Sequence, residues 1–297
     1  MAIEGSYQGF DVAMHDRGIA LFTFNRPDRL NAVSQPVRWE LEEVLTLAQF
    51  DDQVRVIVLT GSGRGFVAGV AGHGADDLDI WDDEPPMMAS RLPSHRDVPL
   101  SRYEILVHLS QRGVRAVRRL DKLTVAAVNG FAVQWGLSLA LACDFVIVGR
   151  SARFASATLR TGFQPDEGGH WLLVQHLGVR KALEFMMLNQ FVDSETAVRL
   201  GLANEVVDDD QLLPRAMELA AQLAAGPQAA MRHLKKATYL AAELTFDQAG
   251  EDIAVRTSVT DFHQDAAEGV TAFWARPRRT PHFNKWLEDH DTGIPRS

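Results

Sequence analysis

The stretch from Asn129 to Asp144 constrains this chain more than any other. Val125-Ala126-Ala127-Val128 leads into Asn129-Gly130, and the residues from Trp135 to Ala142 are apolar apart from Ser138. The order reads as a buried strand, a tight turn and the first turns of an apolar helix, with no polar face to turn to water. That geometry points the first N–H groups of the helix, and the positive end of its dipole, into a cleft. Such a cleft can hold negative charge that develops on a carbonyl oxygen.

A chain of 297 residues, 46% of them hydrophobic, has material for one large domain or a domain with a helical appendage. Its net charge of −9 argues against general nucleic-acid affinity, so any polyanionic ligand needs a local cluster of Lys or Arg. The single cysteine, Cys143, excludes an internal disulfide framework and a cysteine-rich metal site. Its neighbours Leu139-Ala140-Leu141-Ala142 mark it as a packed small hydrophobe. The opening residues Met1 to Ser6 carry neither a basic nor an apolar leader, and the apolar runs fall short of the ~20 residues that span a bilayer. The expectation is a cytoplasmic protein that engages neither membrane nor nucleic acid. Neither a Gly-x-Gly-x-x-Gly nor a Walker pattern is present, and nothing points to a metal or a redox cofactor.

Short apolar strands at Ile19–Phe24, Val54–Thr60, Val125–Val128 and Phe145–Val148 alternate with helical patterns, such as the one Pro36 opens through Val37, Leu41, Val44, Leu45 and Ala48. The fold class is α/β over residues 1–192. Residues 193–297 read as an almost wholly helical C-terminal region. The segment 71–100 breaks the pattern: Asp76, Asp77, Asp79, Asp82, Asp83 and Glu84 crowd ahead of Pro85-Pro86 and Met87-Met88. It reads either as a solvated loop or as a lid whose Trp81, Met87 and Met88 close over an apolar substrate.

Segments spread over roughly residues 10–285 resemble, in order, the crotonase (enoyl-CoA hydratase/isomerase) family. They are Asn25-Arg26-Pro27-Asp28-Arg29-Leu30-Asn31-Ala32, Phe66-Val67-Ala68-Gly69-Val70, the stretch from Asn129, and Phe154 to His170. The resemblance implies a spiral core of ββα repeats, a helical C-terminal trimerisation region, a homotrimer or hexamer, and an acyl-CoA substrate whose coenzyme A is the only cofactor-like group. By the same match Arg26 and Arg29 lie near the coenzyme A phosphates, and Ala68-Gly69 lines the thioester. Val70 and Trp135 donate the backbone N–H groups of an oxyanion hole. A second register takes His73-Gly74-Ala75-Asp76 as the loop, with Ala75 as donor. Trp135 stands where most members have a glycine, and its ring is expected to fill or cap part of the acyl pocket. Near the C-terminus Phe273 and Arg278 fit the aromatic and basic residues that approach a neighbouring subunit's nucleotide.

The departures decide the chemistry. Family hydratases carry glutamates at the positions of Ser138 and Thr158, and hydration of an enoyl thioester needs two placed carboxylates. Asp166 and Glu167 are the compensating candidates, Asp166 falling where dienoyl-CoA isomerases and 4-chlorobenzoyl-CoA dehalogenases place a working aspartate. The competing expectation is that either carboxylate only caps the helix that begins near His170. The leading reading is isomerisation or atypical hydration of an acyl-CoA through a stabilised enolate. The alternatives are a CoA-independent β-diketone hydrolase resembling 6-oxocamphor hydrolase, with His170 or His73 assisting Glu167, and a non-catalytic subunit.

Overall fold

The structure is a computed structural model, and it describes residues 3–70, 103–104 and 106–285. The segment 71–100, with His73 and the alternative donor Ala75, therefore lies outside the described residues.

The chain opens with antiparallel strands β1 (Gly5–Tyr7), β2 (Phe10–His15) and β3 (Ile19–Phe24). From there strands come in pairs, the first of each pair entering a large sheet and the second a small one. β4 (Val56–Gly61) is followed by β5 (Gly65–Val67), β6 (Leu123–Val128) by β7 (Phe131–Val133), and β8 (Phe145–Gly149) by β9 (Arg153–Ala155). The short β10 (Val192–Asp193) pairs with β9, and β11 (Glu205–Val207) adds a parallel edge strand beside β8. The large sheet thus runs β1-β2-β3-β4-β6-β8-β11 and the small one β10-β9-β7-β5. β3, β4, β6, β8 and β11 are mutually parallel, so their carboxyl ends share one edge, where loops gather.

Helices cover the sheets. α1 (Gln35–Phe50) and α2 (Arg112–Arg119) pack on each other, and α3 (Trp135–Ala142) packs on α2 and on α4 (Gly169–Leu188). Every residue of α3 is buried, as an all-round apolar helix requires. After α5 (Ser194–Leu200), α6 (Leu212–Ala225) lays Leu212, Ala216, Ala220 and Ala224, one residue per turn, against Val56, Val58, Val125 and Ile147 of the sheet. The chain then runs through α7 (Gln228–Ala241), α8 (Phe246–Asp261) and α9 (Gln264–Trp274). The alternation of strands and helices is the α/β architecture expected. β11 corrects one detail, since Glu205-Val206-Val207 finds a free parallel edge inside a stretch read as helical. Among the described residues no helix is long and apolar enough to cross a membrane.

Candidate active site

Two backbone segments meet where α3 begins. The loop after β3 is clamped to the segment after β4: Asn31 Nδ2 donates to the Ser62 and Gly65 carbonyls, Ala68 N–H to Leu30, and Val33 N–H to Gly69. These bonds carry Arg26 and the exposed Arg29 onto the flank of Gly65–Val70. Arg26 Nη1 also donates to the Ala32 carbonyl at 3.4 Å, which keeps its half-buried head beside the loop. The Gly69-Val70 turn in its own right lies against the start of α3. A Cβ placed on Gly69 would sit 3.7 Å from the Val133 carbonyl oxygen and 4.0 Å from Gln134 Cβ. As the opening residue of α3, Trp135 has no carbonyl four residues back within the helix to occupy its N–H.

The Trp135 ring turns inward. It is 1% exposed and packs on Gly113 of α2, where a Cβ would meet it at 2.7 Å. Its Nε1 is buried without a hydrogen-bond partner among the described residues.

The second feature is a carboxylate. Glu167 is 2% exposed, and its Oε1 accepts from Ser138 Oγ and from Gln134 Nε2, each at 2.8 Å. Its Oε2 accepts from the Asp166 N–H at 3.0 Å. The carboxyl group of Glu167 therefore sits on the Ser138 side chain. Gln134 links it to Thr158, because Gln134 Oε1 accepts from the Ala157 and Thr158 N–H groups at 3.0 and 3.3 Å. Thr158 Oγ1 itself is buried without a partner among the described residues. Burial pushes the Glu167 carboxyl above its ordinary range, the neighbouring Asp166 charge pushes the same way, and the Ser138 and Gln134 hydrogen bonds oppose them. Among the described residues no Lys or Arg forms an ion pair with it.

Asp166 is half-buried beside it, its Oδ2 accepting from Ser110 Oγ at 2.7 Å. Ser110 Oγ in turn accepts from the buried Arg38 Nη1 at 3.3 Å. Neither carboxylate caps α4: the capping position is Gly168 and no side chain bonds the first turn. The capping expectation is corrected on that ground. The left-handed backbone of Gly168, φ +96°, separates the carboxylates from the helix axis. His170 is exposed and makes no hydrogen bond to Glu167.

A family model described as enoyl-CoA hydratase/isomerase matches residues 14–78 and 97–285. The chain belongs to the enoyl-CoA hydratase/isomerase family. It is similar to 1,2-epoxyphenylacetyl-CoA isomerase of Escherichia coli, at 34% identity over 90% of this chain and 95% of that protein. It is also similar to 4-chlorobenzoyl coenzyme A dehalogenase-2 of an Arthrobacter species, at 30% identity over 90% and 91%. Among solved structures it is similar to an enoyl-CoA hydratase from Polaromonas sp. JS666, with a TM-score of 0.79, 26% identity and coverage of 93% and 99%. The parallel-sheet core with C-terminal helices is the fold of these family structures, and the protein is an enzyme of the hydratase/isomerase type.

In this family member the remaining sequence candidates lie far along the chain. Phe273 is half-exposed on α9, with the Arg278 guanidinium 4.3 Å from its ring centre. Reading the sequence missed Gln134, Ser110 and Arg38. Gln134 left a faint signal, a polar residue directly before an otherwise apolar helix. Ser110 and Arg38 left none, since contacts across 72 and 56 residues follow only from the topology.

Proposed function

We propose that this enzyme acts on an acyl-CoA thioester and carries it through an enolate, in double-bond isomerisation or a hydration that does not use the usual pair of glutamates. The observation that carries this reading is the buried Glu167 carboxyl seated on Ser138 Oγ and Gln134, next to the meeting of Gly69-Val70 with the start of α3. A thioester oxygen held by the N–H groups of Val70 and Trp135 gains stabilisation as negative charge builds on it, a contribution of ~10²–10³-fold per donor. In isomerisation Glu167 takes the proton from the carbon next to the carbonyl, the electron pair moves into the enolate, and the same carboxyl returns a proton two carbons further along. A placed acid/base of this kind contributes ~10²–10⁴-fold. A carboxyl raised by burial is a stronger base than an exposed one, which suits it to take the proton. Asp166, fixed by Ser110, supplies the second carboxylate that a hydration needs. Arg26 and Arg29 give an acidic protein the local positive charge for the coenzyme A phosphates.

The exposed apolar residues of α8, α9 and the turn between them, among them Phe246, Val255, Val259, Phe262 and Val270, support assembly as a homotrimer or hexamer. Phe273 and Arg278 then reach a neighbouring subunit's nucleotide site. The test is a calorimetric titration with acetoacetyl-CoA, with free CoA as control. Tighter binding of the thioester than of free CoA supports the reading, and equal or absent binding overturns it. In D₂O, Glu167→Gln should bind the thioester within a few-fold of wild type while losing exchange of its enolisable proton. Full exchange in that variant removes Glu167 from the mechanism.

A further inference from the structure

Gln134 has no place in the reaction as described so far, yet its side chain makes four hydrogen bonds at the site. Its backbone is held in an uncommon conformation, φ +50° and ψ −102°, where a side chain is disfavoured. Both backbone groups are pinned there: the N–H donates to the Ala155 carbonyl at 2.9 Å, and the carbonyl accepts the Ser138 N–H at 2.9 Å. The side-chain oxygen faces three donors, Ser156 Oγ at 3.2 Å and the Ala157 and Thr158 N–H groups. An amide whose oxygen is committed to three donors has one orientation left, with its NH₂ toward Glu167 Oε1.

The consequence falls on the two oxygens of Glu167. Oε1 receives two side-chain donors, whereas Oε2 receives one backbone N–H. When the carboxyl is protonated, its hydrogen belongs on the oxygen with fewer donors aimed at it. Gly169 closes the arrangement, because a Cβ there would overlap Ser138 Oγ and lie 2.9 Å from Glu167 Oε1. We propose that Gln134 is a positioning residue that locks Glu167 in one rotamer and leaves Oε2 as the oxygen that exchanges the proton. This deepens the reading of Glu167 as the acid/base and rests on it.

The test uses Gln134→Met, which keeps the length of the side chain and removes both hydrogen-bonding groups. Gln134→Gly is the second variant, since glycine takes the positive φ without strain and so protects against failure to fold. The first readout needs no substrate: the Glu167 carboxyl band is followed by infrared difference spectroscopy across pH, with Glu167→Gln as the blank. Loss of a donor to the ionised form moves the midpoint to higher pH. The second readout is thioester proton exchange, in which kcat should fall ~10-fold or more, with KM within about twofold and the lower pH limb moved upward. An unmoved infrared midpoint in both variants overturns the proposal, as does a fall in kcat without a shift of the limb. If Glu167→Gln exchanges protons at the wild-type rate, the reading of Glu167 fails, while the infrared midpoint still reports on Gln134 alone.

Discussion

Replacing Glu167 by glutamine should make the protein more stable at neutral pH, and the size of the gain follows from linkage. In the unfolded chain the carboxyl titrates near its ordinary value of 4.5, and in the folded protein burial raises that value. As pH rises past 4.5 the unfolded state releases its proton first, so the folded state holds more protons and unfolding becomes easier. The wild type therefore loses about 1.4 kcal/mol per pH unit from this group until the folded carboxyl ionises, after which the loss is constant. The Glu167→Gln variant has no such slope. Its new amide carbonyl can keep the donors Ser138 and Gln134, but the NH₂ would face the Asp166 N–H, which costs about 1 kcal/mol at every pH. The variant should be slightly the weaker below about pH 4.5, with the two curves crossing roughly one pH unit higher. Urea unfolding of both proteins at half-unit steps from about pH 4 to 8, a range that brackets the expected crossing, measures the difference. Curves that stay parallel across the whole range would falsify the claim that Glu167 is buried with a raised carboxyl.

Other substitutions test the frame around the site. Asp144 accepts from Lys235 Nζ, the Thr124 N–H and hydroxyl, and Tyr239 OH, and the Asp144 and Lys235 side chains are 8% and 4% exposed. Asp144→Asn leaves Lys235 buried and unpaired and should cost ~3–5 kcal/mol by denaturant titration, with Asp144→Asn/Lys235→Met recovering much of it. Gly113→Ala drives a methyl group to 2.7 Å from the Trp135 ring and should cost ~1–3 kcal/mol, with a change in near-UV circular dichroism from the displaced indole. Burial pushes the Cys143 thiol up, so the native protein should not react with a thiol reagent at about pH 8, whereas denatured protein should titrate fully.

Most of the fold was legible because its elements are chemically one-sided or wholly apolar. β6 reads Leu-Thr-Val-Ala-Ala-Val with every residue buried, and α3 has no polar stripe, so neither admits a surface position. β11 was not legible, since three residues carry no periodicity and form a strand only because β8 offers an edge. At the site the sequence exposed the carboxylates Asp166 and Glu167 but not where they point. A carboxylate ahead of Gly168-Gly169 and a helix has the same spelling whether it caps that helix or enters the core. The outcome depends on the Gly168 backbone and on a serine 29 residues earlier in the chain. Gln134 was hidden for a related reason: three of its partners lie on the loop after β9, adjacent only once the small sheet has formed.

That dependence explains why Ser138 and Glu167 belong together. A glutamate at position 138, where the family resemblance places one in hydratases, would bring a second carboxylate onto Glu167 Oε1. Two carboxylates at hydrogen-bond distance cannot both ionise, and here one would be buried with no cation paired to it among the described residues. Ser138 instead supplies a hydroxyl that donates to the carboxylate. The site carboxylate thus comes from the loop before α4 and is held in the first turn of α3 by Ser138. If so, Ser138→Glu should destabilise the protein strongly near neutral pH and weakly at about pH 4, where one carboxyl is protonated. Adding Glu167→Gln should reduce the pH dependence to that of a single buried carboxyl and recover part of the loss, a coupling on the order of 0.5–3 kcal/mol. Strictly additive effects of the two substitutions would mean that the side chains do not share one site.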